Sequence, residues 1–115
     1  MNLNEYQNQA ITTELMKRAD TLTANDPAFV AKVLGLVGEA GEVAEKYKKI
    51  IRDKDGVISD KDKQEIAKEL GDVLWYISVM AHYLGITLEE IAHMNLDKLF
   101  ARRERGTSRG SGDNR

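Results

Sequence analysis

The chain has 115 residues with a formal net charge of −2, and 42% of its residues are apolar, which suits a single domain with one hydrophobic core. The near-neutral balance gives no reason to expect a nucleic-acid or membrane partner, and no apolar run reaches the roughly 18 residues that a bilayer span needs. The start of the sequence lacks the basic and apolar stretches of a signal peptide, so we expect a cytoplasmic protein.

The amino-acid composition favours helices and limits the side chains that could bind a metal ion. Cysteine is absent, which excludes disulfides, thiol catalysis and thiolate zinc sites, so that any metal must be bound by oxygen or imidazole. One proline, few aromatics and no stretch of alternating apolar and polar residues argue against strands. The sequence therefore predicts an all-α fold.

The first two predicted helices occupy the N-terminal half. One runs from about Asn4 to Thr21, with Asn4 as its N-cap. The next begins at Asp26, with a proline in its first turn, and continues to about Arg52. The residues expected to form its core-facing stripe are Val30, Val33, Leu34, Val37, Ala44, Tyr47 and Ile51.

A third helix is predicted from about Asp60 to Leu84, ended by Gly85, and a fourth begins with a capping box at Thr87. Because the second and third helices are long and joined by a short loop, they should lie antiparallel. Residues 1–105 form the predicted domain. Residues 106–115 are polar and rich in glycine and serine, and they are predicted to be a disordered tail.

Each of the two long helices carries a stripe of carboxylates beside its apolar face. The spacings of three and four residues place each set on one side of its helix. The stripes consist of Glu39, Glu42 and Glu45, and of Glu65, Glu69 and Asp72. Lysines at i, i+4 positions suggest intrahelical ion pairs for some of them, namely Glu42–Lys46, Glu45–Lys49 and Asp72–Lys68.

Glu39 and Glu69 have no cation at the neighbouring positions of their own helices. Like charges at these spacings repel, so the sequence favours a divalent cation as the partner of these carboxylates. The alternative is an acidic helix face that is simply exposed to solvent. Carboxylates on rigid helices suit Mg²⁺ or Mn²⁺, ions that commonly act on phosphates. Glycines beside the carboxylates would let a helix or ligand approach the backbone; they are Gly35, Gly38, Gly41 and Gly71.

The segment from Gly35 to Lys46, with the later segment from Lys68 to Tyr76, resembles the MazG-like family of all-α nucleoside triphosphate pyrophosphohydrolases. The two segments match the paired E-x-x-E and E-x-x-D motif of that family, and the resemblance spans about residues 30–105. It implies a four-helix bundle whose two long antiparallel helices carry the acidic site. It also implies Mg²⁺-dependent hydrolysis of a nucleoside or deoxynucleoside triphosphate to the monophosphate and pyrophosphate.

Site residues follow from the resemblance position by position. The expected metal ligands are Glu39, Glu42, Glu69 and Asp72, and Glu45 is an additional catalytic candidate that binds a second ion or orients the water. Tyr76 lies one turn beyond the last of these ligands and is a candidate for contact with the nucleotide or for the core. The resemblance extends to the last helix, where Asn95 and Lys98 are expected to touch base or phosphate.

Two alternatives stay open beside this activity. One is a phosphoribosyl-ATP pyrophosphohydrolase-like reaction, and the other is a non-catalytic metal-binding helical protein that interacts with a partner. No residue decides the preferred base or sugar.

Apolar residues also lie outside the predicted stripes, and this pattern predicts that copies of the chain associate with one another. Four helices cannot cover two apolar faces of one long helix, so a second copy of the chain is expected to do so. We therefore expect a homo-oligomer, either a homodimer or a dimer of dimers. The residues concerned are Leu36, Val43, Ile50 and Val79.

Overall fold

The computed structural model describes residues 1–107 and 109–113, and these residues contain four helices and no strand, which confirms the all-α prediction. Helix α3 is central, since it packs against each of the other helices, and α4 also contacts α1. No helix in the described part of the chain is long and apolar enough to cross a membrane. The helices are α1 (Leu3–Ile11), α2 (Pro27–Lys54), α3 (Asp60–Tyr83) and α4 (Leu88–Glu104).

Helices α2 and α3 form an antiparallel hairpin, as predicted. The ammonium of Lys54 in the last turn of α2 lies 2.7 Å from the carboxylate of Asp62 in the first turn of α3. At the other end of the pair, Gly35 in α2 faces the ring of Tyr76 in α3. The Lys54 hydrogen bond, together with those from Ser59, lowers the pKa of Asp62 to about 2.

Local capping fixes most helix ends where the sequence predicts them. The capping box at Thr87 is confirmed, and Asp26 accepts a hydrogen bond from the backbone N–H of Ala28 at the start of α2. At the end of α3, Gly85 adopts a φ of +72°, a conformation that glycine reaches without a steric penalty. Short polar side chains therefore determine where α2 and α4 begin.

The first helix is shorter than predicted, because it ends at Ile11 rather than at Thr21. The hydroxyls of Thr12 and Thr13 donate to carbonyl oxygens of the last turn, at 2.6 and 2.7 Å. Such side-chain bonds offer the backbone an alternative to further helix. Helical spacing of apolar residues beyond Ile11 was therefore a misleading signal.

The segment that follows α1 is anchored by a buried ion pair instead. Glu14 lies 2.7 Å from Lys32 of α2, with side-chain exposures of only 8% and 5%, and it accepts a hydrogen bond of 2.6 Å from the Tyr83 hydroxyl. Burial raises the pKa of Glu14, but its hydrogen bonds to Lys32 and Tyr83 outweigh burial and lower the pKa overall. Breaking a pair of this kind is costly because one charge would remain buried alone.

Two side chains dock α1 onto the rest of the bundle. The buried amide of Gln7 donates to the carbonyl oxygens of Ser78 and Ile86 and accepts from the N–H of Leu88. Asn4, the predicted N-cap, instead exchanges hydrogen bonds with Glu89 of α4. The cap itself is Asn2, so the prediction for Asn4 is wrong.

Helix α2 has two apolar faces. The face predicted to meet the core is exposed, and the face predicted to lie outside the core is buried or half-buried. In the expected core stripe, Leu34 and Val37 are 66% and 67% exposed, and Ile51 is 56% exposed. The positions expected to lie outside the core are the buried or half-buried ones, including Leu36, Val43 and Ile50. A helix with two apolar faces does not reveal from its own sequence which face meets the neighbouring helix.

The predicted tail at 106–115 is only partly described, since Ser108, Asn114 and Arg115 lie outside the described residues. Asp113 lies 3.0 Å from the ammonium of Lys98 on α4. Disorder of the tail, and the domain boundary at residue 105, stay predictions.

Candidate metal centre

Three predicted ligands, one from α2 and two from α3, meet at the centre of the hairpin. One carboxylate oxygen from each of Glu39, Glu69 and Asp72 lies within 4.8 Å of the others. We call this group the acidic triad. Its residues meet because antiparallel packing brings the middle of α2 beside the middle of α3, and because i, i+3 spacing puts both α3 carboxylates on one face.

The span of the acidic triad fits one hard cation. Two oxygens on opposite sides of an ion are about 4 Å apart around Mg²⁺ and about 5 Å apart around Ca²⁺. The observed limit of 4.8 Å lies in this range, and small rotations of the side chains would bring the oxygens closer. Carboxylate donors on two rigid helices would leave other coordination positions for water or a phosphate.

The carboxylates of the acidic triad repel one another electrostatically. Burial raises the pKa of Glu39, and the negative charges of Asp72, Glu69 and Glu42 raise it further. Repulsion of this kind disfavours three ionised carboxylates side by side unless a cation joins them. The arrangement is therefore chemically suited to a divalent metal ion.

Glu42 lies beside the acidic triad rather than in it. It is exposed, one turn along α2 from Glu39, and its charge contributes to the raised pKa of that residue. No ion pair joins it to Lys46 within the described residues, so that expected pair is wrong, because Lys46 turns across to α3 instead. Its role as a metal ligand stays a prediction.

Glu45 is occupied by lysines of its own helix. Its carboxylate lies 2.9 Å from Lys48 and 3.8 Å from Lys49, and the latter pair confirms a predicted contact. The hydrogen bond from Lys48 is the main reason that the pKa of Glu45 is lowered. On the facing helix, Lys68 pairs with Glu65 at 3.0 Å, so its expected pair with the triad aspartate is wrong.

The predicted nucleotide contacts are spread over two helices. Tyr76 lies one turn beyond Asp72, and its ring covers Gly35, which lies one turn before Glu39 on α2. It therefore borders the acidic triad. Asn95 and Lys98 lie on α4, which in the described part of the chain packs against α1 and α3 and not against α2, so their predicted contacts stay untested.

Of the helix-interior glycines, only Gly35 permits a close approach. A Cβ atom at that position would lie 2.1 Å from Cε1 of Tyr76. At Gly38, Gly41 and Gly71 an added Cβ would meet no other described group within 4 Å. The structure therefore brings no described helix of the chain close to these three glycines, and the approach of a ligand or of another helix there stays a prediction.

Two side chains near the site interact in ways that the sequence does not predict. Lys46 reaches across the hairpin to within 3.8 Å of Glu69, although it was expected to pair on its own helix. Tyr6 of α1 is partly buried, and burial together with the charge of Asp72 raises its pKa. Neither contact has a signal in the sequence, because both depend on how the helices pack.

Comparisons with known proteins agree with this geometry. Residues 30–107 match the family model of the MazG nucleotide pyrophosphohydrolase domain. The chain is also 52% identical to the "Gene 37 protein" of Mycobacterium phage L5 over 116 aligned positions, which cover the whole of both chains. No solved structure matches the chain significantly.

Proposed function

The chain belongs to the MazG nucleotide pyrophosphohydrolase family, and we propose that it hydrolyses a nucleoside or deoxynucleoside triphosphate to the monophosphate and pyrophosphate. The observation that carries this proposal is the acidic triad, whose ligand oxygens lie within 4.8 Å of one another. Carboxylates this close repel one another, and a triphosphate bound beside them would add further negative charge, so a divalent cation between them would be stabilising. A metal-dependent reaction at a phosphate is the chemistry that suits such a site.

Mg²⁺ is the proposed cofactor, with Mn²⁺ as an alternative, because all donors in the acidic triad are carboxylate oxygens. The triad would hold the ion, and Glu42 would supply a fourth carboxylate. An ion bound there would polarise a phosphoryl oxygen and lower the pKa of a water molecule.

Other residues of the chain would position the reactants. We propose that Glu45, which lies on α2 beyond Glu42 and pairs with Lys48 and Lys49 in the metal-free chain, orients the attacking water or binds a second ion. Tyr76 borders the acidic triad and is the proposed contact to the base or ribose. Asn95 and Lys98 are proposed contacts from α4, where an ammonium suits a phosphate.

Product analysis tests the reaction and separates it from the alternatives. The protein is incubated with Mg²⁺ and a panel of ribo- and deoxyribonucleoside triphosphates plus phosphoribosyl-ATP, and the products are separated by ion-exchange chromatography. Monophosphate and pyrophosphate in equal amounts are expected from a triphosphate. Release of inorganic phosphate with a diphosphate would contradict the proposal, and Mn²⁺ binding without any product would favour the non-catalytic alternative.

Removal of divalent metal is expected to abolish activity. The acidic triad repels a polyphosphate unless an ion lies between them. Turnover should fall to background in excess EDTA and return when Mg²⁺ or Mn²⁺ is added beyond the chelator. Undiminished hydrolysis in EDTA would show that the carboxylates act without an ion.

We also propose that the working unit is a homodimer or a dimer of dimers. The accessible surface of the chain is 8292 Å², whereas a monomeric protein of this mass is expected to have about 6,300 Å². The radius of gyration, 17.1 Å, likewise exceeds the value of about 13 Å for a compact domain of this length. The excess surface is ample for a stable interface, which takes about 800 Å² from each partner.

The exposed stripe of α2 is the proposed contact between copies, since it contains Leu34 and Val37 at 66% and 67% exposure. Light scattering coupled to size exclusion should give at least twice the chain mass of 12.9 kDa. Val37→Glu should shift the protein towards the monomer because it places a charge in an apolar contact. Gln64→Glu, at an exposed polar position of α3, is the control. A fully active monomer would contradict the proposal.

A further inference from the structure

The ammonium of Lys46 lies between two carboxylates of the facing helix. Its Nζ atom is 3.8 Å from an oxygen of Glu65 and 3.8 Å from an oxygen of Glu69. Lys46 is two turns beyond Glu39 on the same face of α2, so the hairpin points it along the row of acidic residues on α3.

The two contacts of Lys46 are not equivalent. Glu65 already has a partner on its own helix, because Lys68 lies only 3.0 Å away. Within the described residues Glu69 has no other ammonium or guanidinium within 4 Å, and neither of the other two carboxylates of the acidic triad has one at all. Among the described residues, Lys46 is thus the cation that lies within 4 Å of the acidic triad.

The pair between Lys46 and Glu69 is loose. Its 3.8 Å separation exceeds the roughly 2.7–3.2 Å of a direct N–H···O hydrogen bond. Side-chain exposures of 36% and 18% leave water access to both groups, so the attraction is partly screened. A pair held in this way can separate without leaving a charge buried alone.

We propose that Lys46 is an internal counter-ion of the metal centre, which pairs with Glu69 in the metal-free chain and gives up this carboxylate when a divalent cation binds. A dication attracts the triad carboxylates more strongly than one ammonium does. The metal ion and the ammonium nevertheless compete for the Glu69 carboxylate. The free energy needed to separate Lys46 from Glu69 therefore lowers the apparent metal affinity.

The exchange would couple the metal ion to the substrate. An ammonium released from Glu69 stays beside the centre, where it can neutralise a phosphate of the triphosphate. Nucleotide binding would then draw Lys46 away from the carboxylates and tighten metal binding, and by linkage the metal would tighten nucleotide binding equally. This coupling rests on the proposed function, whereas the exchange itself does not.

Metal binding to the protein without nucleotide tests the exchange. Lys46→Met keeps most of the aliphatic stem and removes the charge, and Lys63→Met is the control, since Lys63 pairs with Asp60 near the start of α3. We measure Mn²⁺ affinity by isothermal titration calorimetry and by the free-ion signal in electron paramagnetic resonance. Lys46→Met is expected to bind Mn²⁺ about two- to fivefold more tightly than the wild type, the range set by a partly exposed ion pair.

Each outcome decides the proposal. Lys63→Met should bind Mn²⁺ with nearly wild-type affinity, which would show that removing a distant positive charge does not by itself tighten Mn²⁺ binding. Unchanged or weaker binding in Lys46→Met, or equal tightening in both variants, would overturn the counter-ion role while leaving the metal-dependent reaction intact. If neither the wild type nor Lys46→Met bound Mn²⁺, the counter-ion role would be overturned and the metal-dependent function would be contradicted with it.

Discussion

Substitution of Glu69 by glutamine is expected to lower turnover at least about a hundredfold while leaving the fold intact. The amide keeps the size of the side chain but removes a charge from the acidic triad, where three ligand oxygens lie within 4.8 Å of one another. Loss of a group that stabilises developing charge at a reaction centre typically costs about a hundred- to a thousandfold in rate. Steady-state kinetics at saturating Mg²⁺ would measure the effect.

The matched control is Glu65→Gln, the same chemical change one turn earlier on α3. Glu65 pairs with Lys68 and approaches Lys46 but is not part of the acidic triad, so turnover should change little. Melting in the absence of metal should be unchanged or higher for Glu69→Gln, since the substitution relieves repulsion among the triad carboxylates. Equal rate losses in the two variants, or unfolding of Glu69→Gln, would assign the carboxylates a structural role.

The second large effect is expected at Gly35, where an alanine should destabilise the protein by about 1–2 kcal/mol. The added Cβ would lie 2.1 Å from Cε1 and 2.3 Å from Cζ of Tyr76, so the ring must move. Forcing a group into a packed contact typically costs about 1–3 kcal/mol, and the higher helix propensity of alanine offsets about 0.5–1 kcal/mol of this. Urea unfolding followed by circular dichroism would give the difference.

Gly71→Ala on α3, away from the proposed contact between copies, provides the comparison for this substitution. No described group lies within 4 Å of the added Cβ atom, so the propensity gain should appear as a stabilisation of about 0.5–1 kcal/mol. The displaced ring in Gly35→Ala should also weaken nucleotide binding, because Tyr76 borders the acidic triad. Equal stabilities of the two variants would show that the close approach of Tyr76 to Gly35 has no energetic weight.

Helix ends were predictable where a side chain near the terminus determines them. The starts at Asp26 and Thr87 follow from local capping, and Gly85 ends α3 by its positive φ. The end of α1 was not predictable in the same way, because the spacing of apolar residues continues past Ile11. There the buried pair of Glu14 with Lys32 is a tertiary contact that overrides local helix preference.

The sequence pointed to the carboxylates of the site but not to the register of the two helices. Helical spacing and the absence of intrahelical cations selected Glu39 and Glu69, and antiparallel packing brings their carboxylates together, while their role as metal ligands stays a prediction. Whether Glu42 joins them, and whether Lys46 pairs within α2 or across to α3, depends on how far one helix is shifted and rotated against the other. Contacts between the helices determine this shift and this rotation, and the sequence of one helix alone does not specify either of them.

The buried side-chain amide of Gln7 has a consequence for the order in which the chain assembles. A nine-residue helix such as α1 is too short to persist alone in water. Its amide meets carbonyls and an N–H from the end of α3 and the start of α4, groups that come together only after these helices have turned at Gly85. We therefore expect α1 to acquire its structure only on a turn between α3 and α4 that is already in place, and to detach from the bundle when that turn opens. Because Tyr6 lies beside Gln7 on α1, each such opening would also move its hydroxyl away from the charge of Asp72, which together with burial raises the pKa of Tyr6.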